Sequence, residues 1–305
     1  MHAVAMRGPA DGCDRDGAWL ADRMLTDPVA NDLINKAIAR FRLPEIDFRS
    51  RARLHLPMLY TDFDSPSKNQ LETSIERLAT VEAQAIERYR SWLTLLPESD
   101  LRGLSFRPLL EQESEIIFSQ FHYLRSKRLD AQYWCLSEGL RVFAAAALSP
   151  FDLSHLGPLL GDIPRNKAVV LSRVYAFRGA PKNTLSFLLA RMSELAAANG
   201  AEIMLTYLNP NLGFRGVSYQ AANWALFAYE CGTRYQYVDK TYVTDRHLSS
   251  VYGTDDPTII SQYLRSRLQM VSFGLAPLKI FAYYIRPESR EQSTLLFPRL
   301  VRRPT

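Results

Sequence analysis

The residues whose types and spacing best fit chemistry lie in one stretch, 206–224. A strand-like run ends there at Tyr207, a turn follows at Asn209, and a helical pattern carries Tyr219 and Asn223. A spacing of four places the last two on one helical face, and ligands of open α/β sheets bind where strands end. A phenol there suits proton donation to a leaving group. The same residues also fit packed aromatics and a turn.

His122 is the candidate base. It is one of five histidines, and a neutral imidazole can accept a proton from an attacking amine near neutral pH. A lone histidine also fits a surface or capping role. Asp239, in a predicted hairpin turn, is a second candidate carboxylate, although its neighbours also form a plain turn pattern. No histidine and carboxylate pair has the spacing of a metal site, so no metal is predicted.

The loop of residues 178–184 is the candidate site for an anionic carrier. It leads from a predicted strand into a predicted helix at 184–198, and the N–H groups and dipole of a helix start attract phosphate. Lys182, Asn183 and Thr184 stand at this start. An ordinary helix cap explains Asn183 and Thr184 equally well.

The surrounding pattern predicts a mixed α/β sheet flanked by helices. From residue 105 onward, short runs rich in β-branched and apolar residues alternate with helical periodicity. Predicted strands cover 133–136, 141–148, 168–177, 203–207 and 279–285, a predicted hairpin covers 235–243, and predicted helices cover 184–198, 218–229 and 257–268.

Two parts are predicted: a mainly helical N-terminal extension, 1–104, and an α/β domain, 105–305. Helices are predicted from residue 28 to 40 and from 71 to 95, the second starting at Asn69 with Glu72. The prolines in 44–68 favour a loop with a short strand. The broad apolar stripe of the helix at 71–95 predicts that it docks on the α/β domain.

Charge is distributed unevenly along the chain. Residues 1–100 carry 13 Lys and Arg against 16 Asp and Glu, whereas residues 101–305 carry 24 against 16. The basic excess includes Arg125, Lys127 and Arg128, and it makes a nucleic-acid partner plausible.

Cysteine usage and hydropathy indicate a cytoplasmic protein without a membrane segment. Cys13, Cys135 and Cys231 lie far apart and are expected to be unpaired. No apolar run reaches membrane-spanning length. The oligomeric state is not indicated.

The stretch 206–224 resembles the signature of the bacteriophage Mom DNA-modification proteins, which is a strand followed by Tyr-x-Asp-Pro, a glycine-containing turn and Tyr-Gln-Ala-x-Asn-Trp. Asn209 stands where the family has aspartate. His122-Tyr123 and Leu171-Ser172-Arg173 resemble two flanking elements of the family. The matched positions within the stretch are Tyr207, Pro210, Gly216, Tyr219, Gln220, Ala221, Asn223 and Trp224.

The resemblance implies a fold similar to the GCN5-related N-acetyltransferases. It also implies an anti-restriction reaction in which the exocyclic nitrogen of phage DNA adenine gains a carbamoylmethyl group. The donor is expected to be acetyl-CoA or another acyl or aminoacyl carrier. By the same matching, the expected catalytic residues are His122, Tyr123, Tyr219, Asn223 and Asn209, and the expected cofactor-binding residues are Arg173, Lys182, Asn183 and Thr184.

Three functions remain open from the sequence. The first is a Mom-like transferase that acts on a nucleic-acid base. The second keeps the fold but acylates a small-molecule amine, for example in natural-product biosynthesis; Asn209 and the acidic N-terminal extension favour it, because an amide cannot replace a carboxylate as a base. The third is a catalytically inactive binding protein.

Overall fold

The structure is a computed structural model. It describes residues 26–60, 65–93, 100–152, 154–231, 234–254, 256–271, 275–286, 288 and 299–302. Cys13 lies outside the described residues.

Eight of the described strands form one mixed sheet, in the order β1-β2-β3-β4-β5-β10-β6-β11, and β7, β8 and β9 form a second sheet. Neighbours in the large sheet are antiparallel except for two parallel pairs, β4 with β5 and β6 with β11. The strands are β1 (Ser105–Pro108), β2 (Gln132–Glu138), β3 (Arg141–Pro150), β4 (Ala168–Ala176), β5 (Ile203–Leu208), β6 (Ala225–Cys231), β7 (Gln236–Val238), β8 (Thr241–Val243), β9 (Leu268–Met270), β10 (Leu278–Tyr284) and β11 (Arg299–Arg302).

The two faces of the large sheet are covered by different segments. A long helix packs on one face over β2, β3 and β4, and its buried side chains include Leu188, Leu189 and Met192. A π-helical turn and a 3-10 segment pack on the other face. The described helices are α1 (Pro28–Phe41), α2 (Glu45–His55), α3 (Lys68–Arg88), α4 (Arg90–Leu93), α5 (Glu111–Ile116), α6 (Thr184–Ala198), α7 (Val217–Ala221), α8 (Asp245–Tyr252) and α9 (Pro257–Leu264); the π-helical turn is Ile117–Phe121 and the 3-10 segment is Ser154–Leu160.

The helices α1, α2 and α3 share one apolar core with the loops and the small sheet that follow β5. Leu71 and Ile75 of α3 are buried in the same cluster as Leu212, Tyr235 and Tyr237. The apolar stripe of α3 therefore packs within the chain, as expected. The boundary near residue 104 stays a prediction, because this cluster contains residues from both sides of it.

The prediction of a mixed sheet flanked by helices, preceded by a helical N-terminal region, is confirmed. The helix at 184–198 has the predicted bounds, and the predicted strands are all present. Asp27 caps α1 by accepting hydrogen bonds from the N–H groups of Val29 and Ala30. The hairpin turn at Asp239 and Lys240 has two left-handed residues, with φ of 49° and 63°, which suits the twist of a two-residue turn.

The loop predicted for 44–68 is wrong, because α2 occupies residues 45–55. Pro44 precedes the helix rather than breaking it, and Glu45 and Asp47 lie in the first turn, where acidic residues are favourable. The helix presents Phe48, Arg51 and Ala52 to the interior. Because one of these buried residues is an arginine, the sequence does not show the apolar periodicity of a helix. The helix predicted at 71–95 starts earlier, at Lys68.

The N-terminus of α3 is also capped differently from the prediction. Ser67 and Gln70 form the capping box, in place of the predicted Asn69 and Glu72. Residues 94–99 lie outside the described residues.

The helix predicted for 218–229 is also wrong. The helix ends at Ala221, and Ala225–Cys231 form β6. Asn223 terminates the helix because its φ is 63°, a left-handed conformation that asparagine tolerates. After it, the aromatic and apolar residues of β6 pair with β10 in the large sheet.

Two further expectations concern cysteines and membranes. Cys135 is free and buried, but Cys231 is disulfide-bonded, so the expectation that it is unpaired is wrong. Among the described residues, no helix combines the length and apolarity needed to cross a bilayer.

Candidate functional site

The centre of the candidate site is the point where β4 and β5 separate. The two strands pair in parallel only through Ala168–Val170 and Ile203–Leu205. Beyond Val170, β4 carries a β-bulge: Leu171 pairs with Leu148 and Arg173 with Ala147, so Ser172 is an extra residue. The ladder between β4 and β5 therefore ends halfway, and a gap opens between their carboxyl-terminal halves.

Tyr219 reaches this gap from the α6 face of the sheet. Its ring stacks on Phe281, with centroids 5.7 Å apart, and packs on Trp224 at 5.5 Å. Its hydroxyl lies 3.5 Å from the Oγ1 of Thr206, which itself donates to the carbonyl of Leu171 at 2.9 Å. Burial raises the pKa of the Tyr219 phenol. The phenol is therefore protonated at neutral pH and able to donate.

His122 and Tyr123 lie on the opposite face, directly after the π-helical turn. The His122 imidazole is buried and lies 4.4 Å from the Tyr123 ring, between centroids. Burial, and then the charges of Arg173 and Arg125, hold the pKa of His122 well below its usual range. Its Nδ1 accepts a hydrogen bond from the N–H of Leu124 at 3.2 Å. A neutral imidazole with an accepting Nδ1 carries its proton on Nε2, so this geometry makes His122 a donor.

Tyr123 contacts the loop that precedes α7. Its ring packs on Phe214, in the loop before α7, with centroids 5.3 Å apart. Burial raises the pKa of Tyr123 to about 12, although the charge of Arg173 acts in the opposite direction. Phe214 also packs against the same core cluster as Tyr219.

Arg173, which the sequence assigns to cofactor binding, lies on the His122 side. Its guanidinium donates to the carbonyl and the hydroxyl of Ser126, at 3.3 and 3.2 Å, and to the carbonyl of Ser172 at 2.7 Å. It lines a cavity of about 480 Å³ together with Ser119 and His247. The structure therefore separates Arg173 from Lys182, Asn183 and Thr184, which lie at the start of α6.

A second cavity, of about 380 Å³, opens at the start of α6. Asn183 has a φ of 69°, and its side chain makes no capping hydrogen bond to α6. The hydroxyl of Thr184 donates to the carbonyl of Pro181 at 2.7 Å. The Thr184 N–H donates to the Pro181 carbonyl at 3.2 Å, but because neither side chain caps the helix, the N–H groups of Leu185 and Ser186 can serve an anion. The cavity is lined by Ala176, Phe177, Ala180, Pro181, Asn183, Thr184, Leu185, Ser186, Val217, Ser218 and Ala221.

Asn209 has a structural role in the loop after β5. Its Oδ1 accepts from the backbone N–H of Asn211 at 3.0 Å and from the side-chain amide of Asn211 at 2.9 Å, and its Nδ2 donates to the Tyr235 hydroxyl at 2.9 Å. Asn211 in turn bonds both backbone groups of Ala276. The Asn209 amide thus ties the loop to the small sheet.

Asn223 and Asp239 do not join the site. The predicted shared face of Tyr219 and Asn223 is wrong, because Asn223 follows the end of α7 and is exposed. Asp239 is exposed and forms an ion pair with Arg267, so it does not supply the missing carboxylate.

The basic residues after His122 are neutralised within the chain. Lys127 pairs with Glu111, and Arg128 pairs with Asp130 and with Asp152, the latter at 2.9 Å. A phosphate backbone would have to compete with these carboxylates. The positive charge of this region is therefore weaker evidence for a nucleic-acid partner than the sequence indicates.

The sequence does not reveal the contribution of the N-terminal helices. Arg51 of α2 and Glu82 of α3 contact the segment 122–125 through hydrogen bonds. These contacts could not be predicted, because residues so far apart in the sequence leave no local pattern.

No protein-family model and no curated protein matches the sequence. The solved structures that match this chain include acetyltransferases. An N-acetyltransferase from Staphylococcus aureus has 12% identity and a TM-score of 0.35 over 60% of this chain and 97% of its own. A spermidine N-acetyltransferase from Vibrio cholerae, in complex with CoA and spermine, has 6% identity and a TM-score of 0.34 over 60% and 96%.

A GNAT family acetyltransferase from Elizabethkingia anophelis, with acetyl-CoA bound, has 7% identity and a TM-score of 0.33 over 60% of this chain and 98% of its own. Values this low say nothing about what this chain binds or transfers. No match supports the more specific resemblance to Mom proteins.

Proposed function

We propose that the protein is an acyltransferase that moves an acyl group from a thioester carrier to an amino group. The observation that carries this proposal is the gap between β4 and β5. The cavity at the start of α6 lies on one side of the sheet and the buried His122 on the other, and the Tyr219 hydroxyl lies 3.5 Å from that of Thr206 in β5. An elongated donor and a separate acceptor can thus meet at one point from opposite faces.

The donor side has the features that a phosphate-bearing carrier such as acetyl-CoA requires. The first turn of α6 offers backbone N–H groups to a phosphate, and Lys182 is exposed beside it. The apolar side chains of Ala176, Phe177 and Val217 line the path toward the gap. Arg173 does not contribute on this side and instead acts on the acceptor.

Tyr219 is the proposed acid. The acceptor nitrogen forms a bond to the acyl carbon, the carbon–sulfur bond breaks, and the thiolate leaves with the electron pair. The Tyr219 phenol gives its proton to this sulfur and regains one from the acylated nitrogen, so the products are an amide and a thiol. The hydroxyl of Thr206, 3.5 Å from that of Tyr219, helps to orient it.

His122 is proposed to donate from Nε2 to the acyl oxygen rather than to act as a base. Accepting a proton at Nε2 would require the ring to change tautomer and lose the Leu124 hydrogen bond. The charges of Arg173 and Arg125, which lower the pKa of His122, also lower the pKa of an amine placed beside them. The amine can therefore enter in its neutral form without a carboxylate in the place of Asn209.

The preferred acceptor is a small amine. The 480 Å³ cavity beside Arg173 suits a small molecule, and the nearby cations Lys127 and Arg128 already pair with carboxylates. The second candidate acceptor is the exocyclic amine of a nucleic-acid base. The sequence motif around Tyr219 favours it, because that motif resembles the Mom signature.

The test combines an assay of the purified protein with a search for its products in cells. Purified protein is incubated with acetyl-CoA and panels of amines, nucleosides and single-stranded DNA, and thiol release and product mass are measured. Nucleosides and metabolites from cells that express the protein are compared with those from cells that express Tyr219→Phe. We expect an N-acylated small molecule with one thiol released per product. A modified nucleobase selects the second candidate, and the absence of both product and donor binding contradicts acyl transfer.

A further inference from the structure

Three charged side chains join the N-terminal helices to the segment that carries His122. The guanidinium of Arg51, in α2, donates through Nε to the carboxylate of Glu82, in α3, at 3.2 Å, and through Nη1 to the carbonyl of Tyr123 at 3.0 Å. The guanidinium of Arg125 donates to the other carboxylate oxygen of Glu82. The bonds of this ion triad, Arg51–Glu82–Arg125, thus reach Tyr123 and Arg125, which closely follow His122.

The triad lies in the interior. The side chains of Arg51 and Glu82 are 11% and 9% exposed, and that of Arg125 is 18% exposed. Buried ion groups of this kind contribute little net stability, because the loss of hydration offsets the attraction, and apolar groups of similar volume often serve as well. Such a group is better explained by the geometry that it imposes, provided that its bonds hold a segment that would otherwise lack a defined position.

The segment 122–125 has little regular structure of its own to fix it. The π-helical turn ends before it, His122 is extended with a ψ of 139°, and Arg125 has a left-handed φ of 49°. A single turn hydrogen bond, from the N–H of Arg125 to the carbonyl of His122 at 2.9 Å, closes it. Its position against the sheet therefore depends strongly on partners outside the segment.

We propose that the triad Arg51–Glu82–Arg125 is a positioning device by which the N-terminal helices hold His122 and Tyr123 against the gap between β4 and β5. Arg51 and Glu82 are positioning residues and touch neither donor nor acceptor. The inference rests on the proposed function for its kinetic consequence. Its structural consequence, the placement of the His122 ring, is independent of any activity.

The test variant is Arg51→Met, which keeps the stem volume and removes both hydrogen bonds. The ring nitrogen signals of the five histidines are recorded by NMR, with His122 assigned by its loss in His122→Gln. We expect the His122 signals to move, together with those of His55, which lies one turn after Arg51 in α2, while the signals of the other three histidines and the circular dichroism stay the same. Turnover should fall at least about tenfold with little change in the KM of the donor, because small misplacements of reacting groups slow reactions strongly. Arg51→Lys, which restores one donor, should recover part of the loss.

Arg40→Met is the matched control, because Arg40 pairs with Glu76 on the exposed surface of the same helical region, with side chains 70% and 49% exposed. It should change neither the His122 signals nor turnover. Unchanged His122 signals and turnover in folded Arg51→Met would overturn the proposal. If that variant does not fold, Glu82→Gln, which keeps the size and removes the charge, is used in its place, with the same expected movement and the same overturning result. If the wild-type protein transfers no acyl group, the proposed function fails, and the NMR comparison still decides the positioning role.

Discussion

The two sides of the gap between β4 and β5 are built differently. On the α6 side, the cavity is formed by the end of β4, the loop after it and the first turns of two helices. On the His122 side, charged groups from separated parts of the chain meet: Arg51 and Glu82 from the N-terminal helices, Arg125, and Arg173 from β4. The first side uses backbone groups and apolar side chains, and the second uses a buried network of ion pairs and hydrogen bonds.

The difference matches what each side would have to recognise. A carrier such as CoA presents the same phosphates and the same chain in every reaction, so backbone N–H groups and apolar walls are sufficient for it. An acceptor is particular to one enzyme, and distinguishing it requires side chains in fixed positions. The N-terminal helices contribute contacts to the His122 side, which is the proposed acceptor side, so substitutions on the two sides should have separable effects.

The largest expected effect comes from Tyr219→Phe, which acts between the two sides. The ring stacking on Phe281 is kept and the hydroxyl is removed. Turnover should fall by about a hundredfold or more, the typical contribution of a positioned acid, while thermal unfolding changes little. Tyr283→Phe is the control, because that ring packs on Trp224 at 5.8 Å away from the gap. Equal activities of the two variants would leave Tyr219 as a packed aromatic.

Gly216→Ala tests how closely the loop before α7 must approach the sheet. Gly216 has a φ of 82°, and an added Cβ would lie 2.8 Å from the Phe281 ring and 3.1 Å from Leu208. Backbone strain and overpacking together should lower the free energy of unfolding by about 3 kcal/mol. Gly139→Ala, with a φ of 58° and no neighbour within 4 Å, should lower it by only about 1 kcal/mol. Denaturant unfolding measures both, and equal losses would show that the close approach is unimportant.

Asp47→Asn tests the network on the His122 side. Burial, and then the charge of Glu82, raises the pKa of Asp47 to about 6. A raised folded-state pKa means that ionisation above pH 6 destabilises the fold, and that this penalty is absent below the unfolded pKa near 4. The variant should therefore be more stable than the wild type by about 2 kcal/mol at pH 7.5, with the gain lost at pH 4. Thermal unfolding at several pH values checks this.

Asp32→Asn, at an exposed residue of α1 whose side chain is 57% exposed, is the control for Asp47→Asn and should have a small effect throughout. A gain that does not depend on pH would show that the charge of Asp47 is not its cause.

The smallest effect is expected from Lys182→Gln on the α6 side. Lys182 is exposed, so its attraction for a phosphate is screened. The KM for acetyl-CoA should rise by a few fold, about the size of an exposed ion pair, with turnover unchanged. An acyl-pantetheine donor, which lacks the phosphates, should show no change, and Lys240→Gln in the distant hairpin should affect neither donor. A change in turnover with both donors would place Lys182 in the chemistry.

The sheet side of the site was predictable because its signals are local. The apolar run of β4, the long helix α6 with a glycine behind it and the strand β5 each carry their own pattern, and together they predict where a ligand binds. Tyr219 followed from the turn before it and from the motif around it. The end of α7 was missed because Asn223 keeps a helical spacing in the sequence while its backbone turns left-handed.

The other side of the site depends on contacts that no local pattern contains. The hydrogen bond from Arg51 to Tyr123 joins residues 72 positions apart, and α2 appears polar because its interior face includes that arginine. The role of His122 also depends on a tautomer, which the Leu124 N–H determines. Residue type alone predicts only that an imidazole can accept or donate.

The bulge at Ser172 changes which residues of β4 face each side of the sheet. Before it, Val169 and Leu171 face α6; after it, Val174 and Ala176 do so, and Arg173 and Tyr175 face the other way. Beyond Ser172, the side chains of β4 therefore alternate between the two faces: even positions face the proposed donor side, and odd positions face the proposed acceptor side. Substitutions that change the specificity for one partner should therefore be needed at every second position only. Deletion of Ser172, in contrast, would turn the side chains of residues 173–176 to the opposite faces of the sheet.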